Sequence, residues 1–202
     1  MKNYEFLFDL GGVFFNWDPR HYFENVFNNK KDMEYFLTQI CNDSWNLKQD
    51  AGRSIKEAEN ELINQFPSYK NFIESYYKNH KNMIKNVFEN SIDLLKKLKK
   101  NHYNCYVLSN WSSETFLGFN KLYPFLNDFD GIIISGEEKL VKPDTKIFHL
   151  ACNRFNLVPT NTIFIDDRIE NIKSAKKLKF NTIHLTDPKE IIKKVSKFVN
   201  LN

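Results

Sequence analysis

Long apolar runs are missing from this sequence, and nothing in it approaches the roughly 20 consecutive apolar residues of a membrane-spanning helix. Cysteine is scarce: Cys41, Cys105 and Cys152 are odd in number and widely separated, which argues against a disulfide framework and against a zinc knuckle. His21, His80, His102, His149 and His184 show no metal-ligand spacing. No internal repeat or low-complexity tract is present. The formal charge is +4 with a pI near 8.8, but Lys30-Lys31, Lys96-Lys97, Lys99-Lys100 and Lys193-Lys194 are scattered as on solvated helix faces. Neither nucleic acid nor membrane is therefore an expected partner. The first residues lead at once into a strand-like segment, without the basic and apolar regions of a signal peptide, and the expected location is the cytoplasm.

What is present is a 202-residue chain, 42% hydrophobic and 27% charged, long enough to bury most of its apolar surface. Near-continuous apolar runs occur at 4–9 (YEFLFD), 104–110 (NCYVLSN), 131–135 (GIIIS), 162–166 (TIFID) and 181–185 (NTIHL). Such runs suit parallel strands covered on both faces. Helical patterns at 112–121, 144–156, 169–178 and 188–198 alternate with the later runs, so the pattern predicts an α/β fold. Between Asn16 and about Phe88 no good strand is visible. Amphipathic patterns fill that interval instead, such as HYFENVF and IKEAENELINQF. The expected organisation is a Rossmann-like core of residues 1–15 and 89–202 around a helical cap domain at 16–88, with hinges near WDPRHYF and Val87 to Asn90.

In an open parallel sheet, ligands bind beyond the carboxyl ends of the strands. Four of the expected strands end in polar groups: Asp9, Ser109-Asn110, Ser135 with Gly136, and Asp166-Asp167. Lys142 precedes a helix that Asp144 can cap. Each has a plain structural reading alone, yet together they converge on one edge of one sheet. Trp17, Trp45 and Trp111 are read as core residues before substrate contacts.

The segments FDLGGV, LSN, VKPD and FIDDRIENI, in this order and with a helical insertion between the first two, resemble the four motifs of the haloacid dehalogenase-like hydrolases. The resemblance implies a Rossmann-like fold with a helical cap and Asp9 as the nucleophile, forming an aspartyl-phosphate. It further implies Mg²⁺ held by Asp9, the Gly11 carbonyl and Asp167, with Asp166 and Asn171 behind those ligands. Ser109, the Asn110 backbone and the Gly12 turn would bind phosphoryl oxygens, and Lys142 would neutralise charge on the nucleophile and the transferring group.

One position departs from the pattern. Phosphatases of this kind carry an acid two residues after the nucleophile to protonate the leaving oxygen, and here that place is Gly11. A 2-haloacid dehalogenase needs no such acid, because halide leaves as a stable anion. Against that reading, paired Asp166-Asp167 beside Asp9 would repel one another without a cation. The sequence also resembles a bacterial subgroup with Gly at this position that includes sugar-1-phosphate phosphatases. The expectation is a Mg²⁺-dependent phosphatase of a small phosphorylated metabolite, with a dehalogenase or a non-catalytic binding module on a decayed hydrolase as alternatives.

Overall fold

The computed structural model describes residues 4–201. Five parallel strands form one sheet in the order β5-β4-β1-β6-β7: β1 Glu5–Phe8, β4 Cys105–Ser109, β5 Gly131–Ile134, β6 Thr162–Asp166 and β7 Asn181–His184. The apolar runs are continuous because alternate residues feed two different layers. Phe6, Phe8, Val107, Ile163 and Ile165 pack on one face of the sheet, against Leu94, Leu95 and Leu98 of helix α6 and Ile191 and Val195 of α12. Leu7, Leu108, Ile133 and Phe164 pack on the other, against Ile147, Phe148 and Ala151 of α10 and Ile172 and Ala175 of α11. These helices run over Glu89–Lys100 (α6), Thr145–Phe155 (α10), Ile169–Lys177 (α11) and Ile191–Val195 (α12). Asp144 caps α10 as the sequence predicts, its side chain accepting from the Lys146 N–H.

Between β1 and α6 lie five helices: α1 Arg20–Phe23, α2 Lys30–Tyr35, α3 Asp43–Asp50, α4 Ile55–Gln65 and α5 Lys70–Lys78. Asn29, Asn42 and Ser54 begin α2, α3 and α4 by accepting backbone N–H bonds, which satisfies donors that a helix start leaves open. The helices enclose their own apolar cluster around Phe23, Phe36, Trp45, Leu62, Ile73 and Tyr76. Trp45 is therefore a core residue. Phe23 and Phe36 are fully buried, and each contributes about 1.5–3 kcal/mol by burial.

Two expectations are corrected here. The interval from Asn16 to Phe88 does contain strands, since β2 (Phe15–Trp17) and β3 (Ile84–Val87) pair antiparallel where the five helices leave and rejoin the sheet. The predicted helix at 112–121 is broken into α7 (Ser113–Phe116) and α8 (Phe119–Leu122), because Gly118 takes a left-handed backbone at φ 81° between them. A four-residue helix, α9 (Ser135–Glu138), follows β5 directly. Among the described residues no helix is long and apolar enough to cross a membrane.

Candidate active site

β1 lies at the centre of the sheet with β4 on one side and β6 on the other, so their carboxyl ends share one crevice. Asp9 follows β1, Ser109 and Asn110 end and follow β4, Asp166 ends β6, and Asp167 comes next. Lys142 enters from the loop between α9 and α10.

Lys142 is almost completely buried and lies between two carboxylates, its Nζ 3.0 Å from Asp9 Oδ1 and 2.7 Å from Asp166 Oδ2. Burial alone would lower its pKa. The charges of Asp166 and Asp9 outweigh that and raise it, so the ammonium is retained. The loop carrying Lys142 is held by Asn110 through two reciprocal bonds of 2.9 Å, the Asn110 amide donating to the Lys142 carbonyl and accepting the Lys142 N–H. The Asn110 side chain thus fixes the lysine, a role the sequence does not reveal.

Asp9 is buried, and its Oδ1 accepts the Ser109 hydroxyl at 2.7 Å as well as the lysine. Both bonds fall on the same oxygen, which leaves Oδ2 for other chemistry. Asp166 is saturated with donors: Oδ2 takes Lys142, Oδ1 takes the Arg168 N–H at 2.8 Å, and the Asn171 amide reaches both oxygens at 3.0 Å. Asp166 is thus held at once by Lys142, the Arg168 main chain and Asn171. Asp167 is only partly buried, and His184 Nε2 donates to its backbone carbonyl at 2.8 Å. Burial first, then the charges of Asp9 and Asp166, push the Asp167 carboxyl up to about 7.

One carboxylate oxygen each from Asp9, Asp166 and Asp167 lies within 4.8 Å of the others. Three carboxylates and one ammonium leave an excess of two negative charges when all are ionised. The all-oxygen donor set and that excess fit a hard divalent cation.

The glycines behave differently from one another. A Cβ at Gly12 would lie 2.4 Å from Asp167 Cγ, and its φ is 66°, so this residue admits both the turn and the close approach of Asp167. Its N–H donates to the Phe15 carbonyl at 3.0 Å. Gly11 has open space where a Cβ would stand.

The sequence reading missed one further acid. Asp50, at the end of α3, is buried beside this crevice: its carboxylate accepts the Asn46 amide at 3.3 Å, and its carbonyl accepts the Ser135 hydroxyl at 2.6 Å. Ser135 Oγ in turn accepts the Trp111 N–H at 2.9 Å, tying α3 to the loop after β4. An exposed pair, Arg168 with Asp43 at 3.2 Å, and a bond from the Ile55 N–H to Glu114 at 2.8 Å join the same surfaces. The one available signal was an acid in the last turn of a helix, where the dipole disfavours negative charge.

The order of these elements and the carboxylate cluster at the strand ends agree with a match to the profile of the haloacid dehalogenase-like hydrolases over residues 7–185. The chain belongs to this family. The sesquiterpene phosphatase astK of Aspergillus oryzae is 23% identical over 181 residues, covering 90% of this chain and 89% of that protein. (S)-2-haloacid dehalogenase 1 of a Pseudomonas species is 27% identical over 88 residues, 44% of this chain and 39% of that one. A haloacid dehalogenase family enzyme of Bacteroides thetaiotaomicron, solved in complex with magnesium and inorganic phosphate, superposes with a TM-score of 0.67 at 25% identity, over 89% of this chain and 92% of that chain.

Proposed function

We propose that this hydrolase is a Mg²⁺-dependent phosphatase of a small phosphorylated metabolite, working through an aspartyl-phosphate on Asp9. The observation that carries the reading is the unneutralised carboxylate cluster of Asp9, Asp166 and Asp167, since carbon–halogen displacement has no use for a cation at the nucleophile. The magnesium and phosphate held by the Bacteroides enzyme and the phosphatase activity in the name of the Aspergillus relative support it.

In this reading Ser109 and Lys142 hold Oδ1 of Asp9, and Oδ2 attacks phosphorus in line with the leaving oxygen. Lys142 neutralises charge on the nucleophile and the transferring group, and Asn110 keeps it there while its own main chain meets the phosphoryl oxygens. Asp9, Asp167 and the Gly11 carbonyl would hold Mg²⁺, which when bound lowers the repulsion between the carboxylate and the phosphate. Asp166 and Asn171 keep these groups in position. Residues 16–88 form the cap domain that covers the site, and residues 1–15 and 89–202 the core.

The missing acid at Gly11 and the similarity to the Pseudomonas dehalogenase favour a second reading, displacement of halide from a 2-haloacid by Asp9. One paired assay separates the two. Phosphate release from a panel of phosphorylated metabolites is measured with and without Mg²⁺, beside halide release from 2-chloropropionate without metal. Metal-dependent phosphate release is the expected result; halide release alone overturns the proposal.

A further inference from the structure

We propose that Asp50 donates the proton to the leaving oxygen, standing in for the carboxyl that Gly11 cannot supply; this rests on the phosphatase reading above. Asp50 belongs to α3 in the inserted helices, yet its carbonyl accepts the hydroxyl of Ser135, which itself takes the N–H of Trp111, two residues beyond the Ser109 that bonds Asp9. The Ser135 bond to its own carbonyl anchors the helix end at the same place. Its only side-chain donor among the described residues is the Asn46 amide at 3.3 Å, and no lysine or arginine forms an ion pair with it. A buried carboxyl without a cationic partner carries a desolvation penalty that a structural role does not require. Burial, then the charge of Asp9, push it up to about 7, against the pull of Ser112, Arg168 and Lys142. Near neutral pH the group is thus present in both forms, as an acid and base in successive steps must be.

The balance is simple. As Asp9 Oδ2 forms its bond to phosphorus and the bond to the leaving oxygen breaks, the Asp50 proton passes to that oxygen and an alcohol departs. Water then attacks the aspartyl-phosphate, its proton returns to Asp50, and Asp9 is regenerated with release of phosphate. Gly11, whose Cβ position is empty, offers an internal control, because an aspartate introduced there has room.

The test compares kcat/KM for ethyl phosphate, whose leaving oxygen needs a proton, with that for p-nitrophenyl phosphate, whose leaving oxygen does not. In Asp50→Asn the ethyl phosphate value is expected to fall at least about 100-fold and the p-nitrophenyl phosphate value less than about tenfold. Adding Gly11→Asp to Asp50→Asn should restore the ratio to within about tenfold of the native one. An equal loss on both substrates, or no loss, overturns the assignment while leaving the phosphatase reading intact. If the native protein releases no phosphate from any ester, that reading fails and takes this one with it. Should Asp50→Asn not fold, Gly11→Asp in the native background decides: with Asp50 as donor the ratio moves by less than about threefold, and a rise of about tenfold or more overturns the proposal.

Discussion

Asp9→Asn keeps the shape of the side chain and a carbonyl oxygen for Ser109 and Lys142 while removing the nucleophilic charge. Turnover is expected to vanish with the thermal transition little changed; a purified variant retaining more than about a few per cent of activity would reject Asp9 as the nucleophile. Lys142 presents the opposite case, because its removal is a structural injury as well. Lys142→Ala strands the buried carboxylates of Asp9 and Asp166 without a cation. A loss of about 3–5 kcal/mol is expected in urea denaturation at pH 7. A loss below about 1 kcal/mol would mean that the carboxylates find protons or solvent more readily than their burial indicates.

At the scale of elements, Ser135 links α3 to the loop after β4 by donating to Asp50 and accepting from Trp111. Ser135→Ala leaves both of those buried groups short of a partner, and a destabilisation of about 1–3 kcal/mol is expected in the same assay. If the melt is unchanged, water fills the gap and the link contributes nothing net. The strands of the sheet were legible because each is buried on both faces and therefore reads as an unbroken apolar run, Phe6 to Phe8 being the plainest example. The antiparallel ribbon of β2 and β3 was not legible. Lys85 and Asn86 of β3 are exposed, so neither apolar continuity nor a clean alternation marks that strand. Asp9, Ser109, Lys142, Asp166 and Asp167 announced themselves by ending strands or preceding a capped helix. Asp50 did not, because periodicity tells which face of α3 is apolar and not which distant loop its last turn meets. Gly12 was recognised as a turn residue, but only the approach of Asp167 reveals why no larger side chain fits.

For the molecule as a whole, His80 sets a pH dependence of stability. Its ring packs among Trp17, Tyr77, Trp111 and Phe119, at the junction of the inserted helices and the sheet, and burial pushes its pKa down to about 4. The unfolded chain binds a proton near pH 6.5 and the folded one does not until about pH 4, so this residue lowers stability as pH falls through that window. Between pH 7 and pH 5 the loss is about 2 kcal/mol. His80→Phe should remove that increment from the difference between urea transitions at the two pH values; an unaltered difference means the ring is protonated in the fold. The ribbon carries a separate consequence. Trp17 and Ile84 are cross-strand partners, so the chain departs and returns at neighbouring points. A two-residue turn between them would shorten the polypeptide without disturbing any pairing in the five-stranded sheet. Such a shortened chain is expected to keep the circular dichroism of an α/β protein, and failure to fold would show that the sheet depends on the inserted helices. Asp9 and Lys142 would remain on it and Asp50 would be gone. The covalent step proposed for Asp9 and the proton transfer proposed for Asp50 would then lie on separable pieces of sequence, one in the sheet and one in the inserted helices.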